Sequence, residues 1–134
     1  SIVARVVQSA PPLSFAILEG PYRYDSSAFW QTVPPITGLP FLVALIANWK
    51  TDRRRLLIGA FSLFIIGGVV AGVYLEPMFA RIIAVGYRDV VDPDLQARAA
   101  TWYAMDCGVW VLGLAAGITL LWALARPGID PRAV

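Results

Sequence analysis

Glu19, Arg23, Glu76, Asp106 and Cys107 are the residues that could do chemistry in or beside an apolar stretch of this chain. A carboxylate pushed into apolar surroundings holds its proton more tightly and becomes a usable general base, a role open to Glu19 or Asp106. The competing role is structural: Arg23 pairs with Glu19 or Asp106 and clamps the first apolar segment to the last. Plain solvation at an interface is the third reading. Cys107 follows Asp106 in an apolar run and reads as a small packing residue, because no histidine is present to activate a thiol. Sites built on histidine or several cysteines are excluded, among them haem, catalytic zinc, blue copper and iron–sulfur centres. A Ser-His-Asp or Cys-His device is excluded with them. For a metal held by carboxylates alone, only Glu19, Glu76 and Asp106 lie near apolar segments. No metal or cofactor is expected.

Those residues sit in a chain of 134 residues that is 58 % hydrophobic and 15 % charged. Soluble domains run to about 45–50 % apolar and about 25 % charged. A mean hydropathy of +0.66 points to lipid as the solvent. The net charge of +2 is too small to suggest a nucleic-acid partner. A membrane-crossing helix needs about 20 mostly apolar residues. Residues 56–75 carry no charge, and 101–125 are interrupted only by Asp106. Residues 33–49 are uncharged, with Pro34 and Pro35 placed for a first turn and Pro40 for a kink. Residues 2–18, with Arg5, Gln8 and Pro11–Pro12, read as a broken or tilted span. The rival for that segment, a cleaved signal peptide, needs a small-residue cleavage pattern, and none follows. The expected fold is all-α: one integral membrane domain over residues 1–134, a four-helix transmembrane bundle with an interfacial helix between spans three and four.

Charge sets the expected orientation. Lys50, Arg53, Arg54 and Arg55 crowd the loop between spans two and three, Arg126 and Arg132 follow span four, and Arg5 begins span one. With both termini and that loop cytoplasmic, seven basic residues face inward and Arg23, Arg81, Arg88 and Arg98 face outward, as the positive-inside rule requires. Residues 77–91 read as a short helix lying at the outer interface. Asp92-Pro93-Asp94 is a strong helix start: an acidic N-cap, proline at N1 and an acid in the first turn. Gly68 and Gly72, then Gly113 and Gly117, form GxxxG motifs in consecutive spans. Such spacing lets helices approach closely. It fits an internal seam between spans three and four better than an oligomer interface. An aromatic belt accounts for Trp30, Trp49, Trp102, Tyr103 and Trp122.

The first span ends in Glu19-Gly20-Pro21-Tyr22-Arg23, two further spans follow, and the last is entered at Trp102. In this order and in these letters the chain resembles the small four-span membrane proteins related to anthrone oxygenases. The matching positions are Glu19, Pro21, Arg23 and Trp102. Gly20 stands where family members often carry histidine, and Met105 and Asp106 stand where other polar residues are expected. The resemblance implies a cofactor-independent oxygenase-like enzyme, or a binder, for a hydrophobic aromatic compound. Its pocket would have Tyr22, Tyr24, Tyr74, Trp102 and Trp110 as walls, with Glu19 or Asp106 as the base. The residues themselves favour a different class. That class is a small non-catalytic membrane subunit that packs against other membrane subunits or against itself.

Overall fold

A computed structural model describes residues 2–21, 23 and 27–127, with backbone alone at 27–30. The described residues are helical throughout, apart from loops and one isolated bridge between Pro12 and Val91. The helices are α1 (Ile2–Ser9), a 3₁₀ helix (Leu13–Leu18), α2 (Ser27–Ala47), α3 (Arg54–Val70), a π-helical turn (Ala71–Leu75), α4 (Glu76–Ile83) and α5 (Pro93–Ala125). They fall into two compact units, Ser1–Ser26 with Val69–Gly108, and Ser27–Gly68 with Val109–Val134. Among the described residues, two helical stretches are long and apolar enough to cross a membrane, Arg54–Ile83 and Pro93–Ala125. Their lengths of 30 and 33 residues correspond to about 45 and 50 Å at about 1.5 Å per residue.

Residues 2–18 form no continuous span. α1 has eight residues, about 12 Å of helix, and stops where Pro11 and Pro12 withhold two amide donors. Pro11 cannot donate to the carbonyl of Val7, and the hydroxyl of Ser14 does so instead at 2.7 Å. A contact seven residues apart at that distance requires the chain to turn back on itself. Two more carbonyls of this bend are capped from α5 and the loop before it. Gln96 Nε2 donates to Ser9 O at 2.6 Å, and the Asp92 amide donates to Pro11 O at 2.9 Å. Val7 and Phe15 then bury against Ile82, Leu95 and Ala99, forming the core of the first unit. Arg5 therefore belongs to the unit that holds Arg81, Arg88 and Arg98. Arg53–Arg55, with which the charge argument groups it, fall in the second unit.

The expected separate helix over 77–91 is corrected as well. α4 continues α3 through the π turn, and only the residues after Ile83 leave the helix. Pro77 explains the π turn: it removes one amide and crowds the preceding turn, which a wider turn relieves. Within that turn the Glu76 amide reaches Ala71 O, five residues back. The chain turns away after the helix at Gly86, whose φ of +70° is costly for any side chain, with its amide bonded to Ile83 O at 3.0 Å. α2 also departs from expectation. It begins at Ser27, so Pro34 and Pro35 lie inside it, not in its first turn.

The start of α5 matches the sequence reading. Asp92 Oδ1 accepts from the amides of Asp94 at 2.9 Å and Leu95 at 3.2 Å, with Pro93 at the first helical position. Asp92→Ala leaves those two amides without this acceptor. It should cost about 1 kcal/mol, read as a lowered midpoint of thermal unfolding in detergent.

In the second unit, small residues make the seam. Ala60, Ala116 and Ala123 are fully buried, packed with Phe41, Ala44 and Leu57. A Cβ added at Gly67 would lie 3.8 Å from Val109 Cγ1, and one at Gly38 would lie 3.2 Å from Phe64 Cε1. Phe41 stacks on Phe64 with ring centroids 5.0 Å apart.

Candidate functional site

Glu19 leaves the 3₁₀ helix in an extended conformation, and its carboxylate accepts the backbone amide of Tyr87 at 3.2 Å. Arg23 lies exposed a few residues on, its amide bonded to Gly20 O at 3.3 Å. An exposed Arg23 leaves an ion pair with Glu19 or Asp106 little to contribute to stability. The anchoring falls instead to the backbone-directed bonds of Ser14, Gln96 and Asp92, which satisfy carbonyls around the proline bend. Arg23→Ala should accordingly shift detergent stability by no more than about 0.5 kcal/mol, the range of ordinary surface substitutions. A loss several times larger in thermal unfolding would reinstate the clamp.

Asp106 is the buried polar residue of the described chain, 8 % exposed on α5. Cys107 beside it is exposed, contrary to the packing role expected for it. Glu76 is exposed at the start of α4. Among the described residues, no group of three or more histidine, cysteine or acidic side chains could hold a metal ion.

Only part of the expected aromatic pocket falls among the described residues. Tyr22 and Tyr24 lie outside the described residues. Trp102 is committed to packing: it stacks on Phe79 with centroids 4.6 Å apart, and its indole N–H donates to Leu75 O at 3.1 Å. Trp110 is exposed and belongs to the second unit. Tyr74 instead helps line a cleft of about 470 Å³ in the first unit. Val73, Met78, Ile82, Leu95 and Met105 give that cleft its apolar surface, and Arg81 and Arg98 are its charged lining. Among the described residues no carboxylate lines it. The sequence reading assigned Arg81 and Arg98 only to a side of the membrane. Their pairing depends on where α4 ends and α5 begins, and the break at Gly86 and the start at Asp92 were the signals for it.

The GxxxG glycines also sit differently from expectation. Added Cβ atoms at Gly68, Gly72, Gly113 and Gly117 would meet nothing within 4 Å. They are not the internal seam, which runs through Gly67, Ala60 and Ala116. On α5 the open glycines share a face with Trp110, Leu114, Ile118 and Leu121, all exposed, Leu121 by 69 %. On α3 and the π turn they lie with Ile65, Val69 and Val73, also exposed.

At one end of the second unit, basic and aromatic residues meet. Arg53 Nη2 donates to Arg126 O, tying the α2–α3 loop to the C-terminus of α5. The Arg54 guanidinium lies 5.4 Å from the Trp49 ring centroid, and that of Arg126 lies 4.2 Å from the Trp122 centroid. Cations over aromatic faces, at the end of apolar helices, suit the level of lipid headgroups. Comparison with family models, curated proteins and solved structures finds no match to this chain.

Proposed function

We propose that the chain is a multi-pass integral membrane protein acting as a small non-catalytic subunit, packed against other membrane subunits or further copies of itself. The observation that carries this reading is the pair of exposed apolar faces in which Gly68, Gly72, Gly113 and Gly117 stand open. In lipid there is no hydrophobic drive between helices, and small residues on an outward face are the feature that lets a partner helix approach. Burial inside the chain does not account for them.

The orientation follows from the basic end. Lys50, Arg53, Arg54, Arg55 and Arg126 lie toward the cytoplasm, and the loop from Gly86 to Asp92 lies on the opposite side. The turned-back segment over residues 2–18 belongs with that loop, to which the Asp92 amide and Tyr87 amide bind it.

The alternative, a cofactor-independent oxygenase-like enzyme or binder for an aromatic compound, has less support. Glu19 is engaged by a backbone amide, and among the described residues the cleft that contains Tyr74 offers no base. Extraction in mild detergent decides between the two. The subunit reading expects a particle well above the 14.6 kDa of one chain, with defined membrane proteins or further copies in fixed ratio. A stable monomer that consumes oxygen with an anthrone would overturn it.

A further inference from the structure

We propose that the cleft between the end of α4 and the start of α5 binds an anionic phospholipid, with Arg81 and Arg98 on the phosphate and an acyl chain along the apolar lining. The inference rests on the membrane reading above, which it deepens by naming a ligand.

The two arginines line one cleft, on neighbouring helices, with no carboxylate in the lining among the described residues. Neither makes an ion pair among the described residues. Two like charges sharing a partly apolar cleft repel each other, and an anion between them converts that repulsion into two attractions. A guanidinium presents a planar fork of donors that matches phosphate oxygens, which an ammonium does not. The rest of the surface is suited to a flexible hydrocarbon. Val73, Ile82 and Leu95 are branched aliphatics, and Met78 and Met105 adapt their shape to what lies against them.

Position narrows the ligand further. The arginines lie near the end of Arg54–Ile83 and the beginning of Pro93–Ala125, the two helices long enough to cross a bilayer. Side chains there reach the headgroup level, while Val73 and Met105 lie closer to the apolar centre of their helices. A charged head joined to an apolar tail fits that gradient. Free phosphate would use only the head of it. A cleft of about 470 Å³ is within the usual size of small-molecule sites, about 300–1,000 Å³.

The test uses the full chain, purified in a neutral detergent and titrated with phosphatidylglycerol or with phosphatidylcholine of the same acyl chains. Native mass spectrometry counts the bound lipid. Phosphatidylglycerol should bind at least tenfold more tightly than phosphatidylcholine. Arg81→Gln with Arg98→Gln should remove that preference, whereas Arg88→Gln, outside the cleft, should keep it. Millimolar inorganic phosphate should not displace the lipid. Equal binding of the two lipids by the unaltered chain overturns the proposal without need of any variant. So does displacement by phosphate, or an equal loss in Arg88→Gln. Alkaline carbonate treatment of membranes tests the underlying reading separately. A chain released by carbonate ends the membrane reading, and a chain retained without lipid preference ends this proposal alone.

Discussion

Trp102→Ala should lower the stability of the protein by about 3 kcal/mol, within the range for truncating a large aromatic residue in a core. The side chain packs against the cluster of Val7, Phe15, Ile82, Leu95 and Ala99. It stacks on Phe79 and donates to the carbonyl of Leu75 at the end of the π turn. One residue therefore ties the N-terminal half of α5 to both the π turn and α4. Trp102→Phe separates the contributions. It keeps a ring against Phe79 but loses the N–H, and should cost about 1 kcal/mol, the usual net value of one hydrogen bond. Thermal unfolding in detergent, followed by circular dichroism, reads both variants. If alanine and phenylalanine cost the same small amount, Trp102 is an interface anchor and not a packing element.

The second large effect distinguishes the inner seam from the outer faces. Ala116→Leu places three extra carbon atoms where Ala116 is fully buried beside Phe41 and Ala60. Overpacking of this kind costs about 1–3 kcal/mol. Gly113→Leu, one turn away, points its side chain into open space and should leave the folded chain intact. Under the proposed function it should nevertheless release the chain from its partners, because it fills the surface where another helix would lie. Size-exclusion chromatography in mild detergent reads the second effect, and thermal unfolding reads the first. An unchanged particle size for Gly113→Leu would remove the support that the open glycines give to the subunit reading.

The parts of the fold that were legible in the sequence are those set by local chemistry. Asp92-Pro93-Asp94 starts α5 because an acceptor, a missing amide and a fixed φ act within four residues. The uncharged run over 56–75 lies within a long apolar helix for a similarly local reason, its composition. Elements that depend on how distant groups compensate one another were not legible. Pro77 looked like a helix start, but a π turn absorbs its missing amide and the helix runs on. Pro11 looked like a flaw in a span, but Ser14 caps the carbonyl it orphans and the chain turns back.

The candidate site divides along the same line. Arg53 of the short basic loop reaches the carbonyl of Arg126, a contact that sequence spacing alone does not specify. The partner of Glu19 was out of reach, because it is a backbone amide 68 residues away. GxxxG spacing identifies a face on which helices can approach but not which helix fills it. The chain fills the face of Gly67 and leaves that of Gly68 open. One residue of helical rotation separates the two.

Cysteine labelling from either side of the membrane shows whether the long helix crosses it and which end lies inside. Arg54 and Arg88 bracket the long helix Arg54–Ile83, and Cys107, the single native cysteine, is exposed and must first be replaced by serine. In intact cells a membrane-impermeant maleimide should label Arg88→Cys, and it should label Arg54→Cys only after permeabilisation. Labelling of both positions in intact cells, or the reverse pattern, would contradict a helix that crosses the bilayer with its basic end inside.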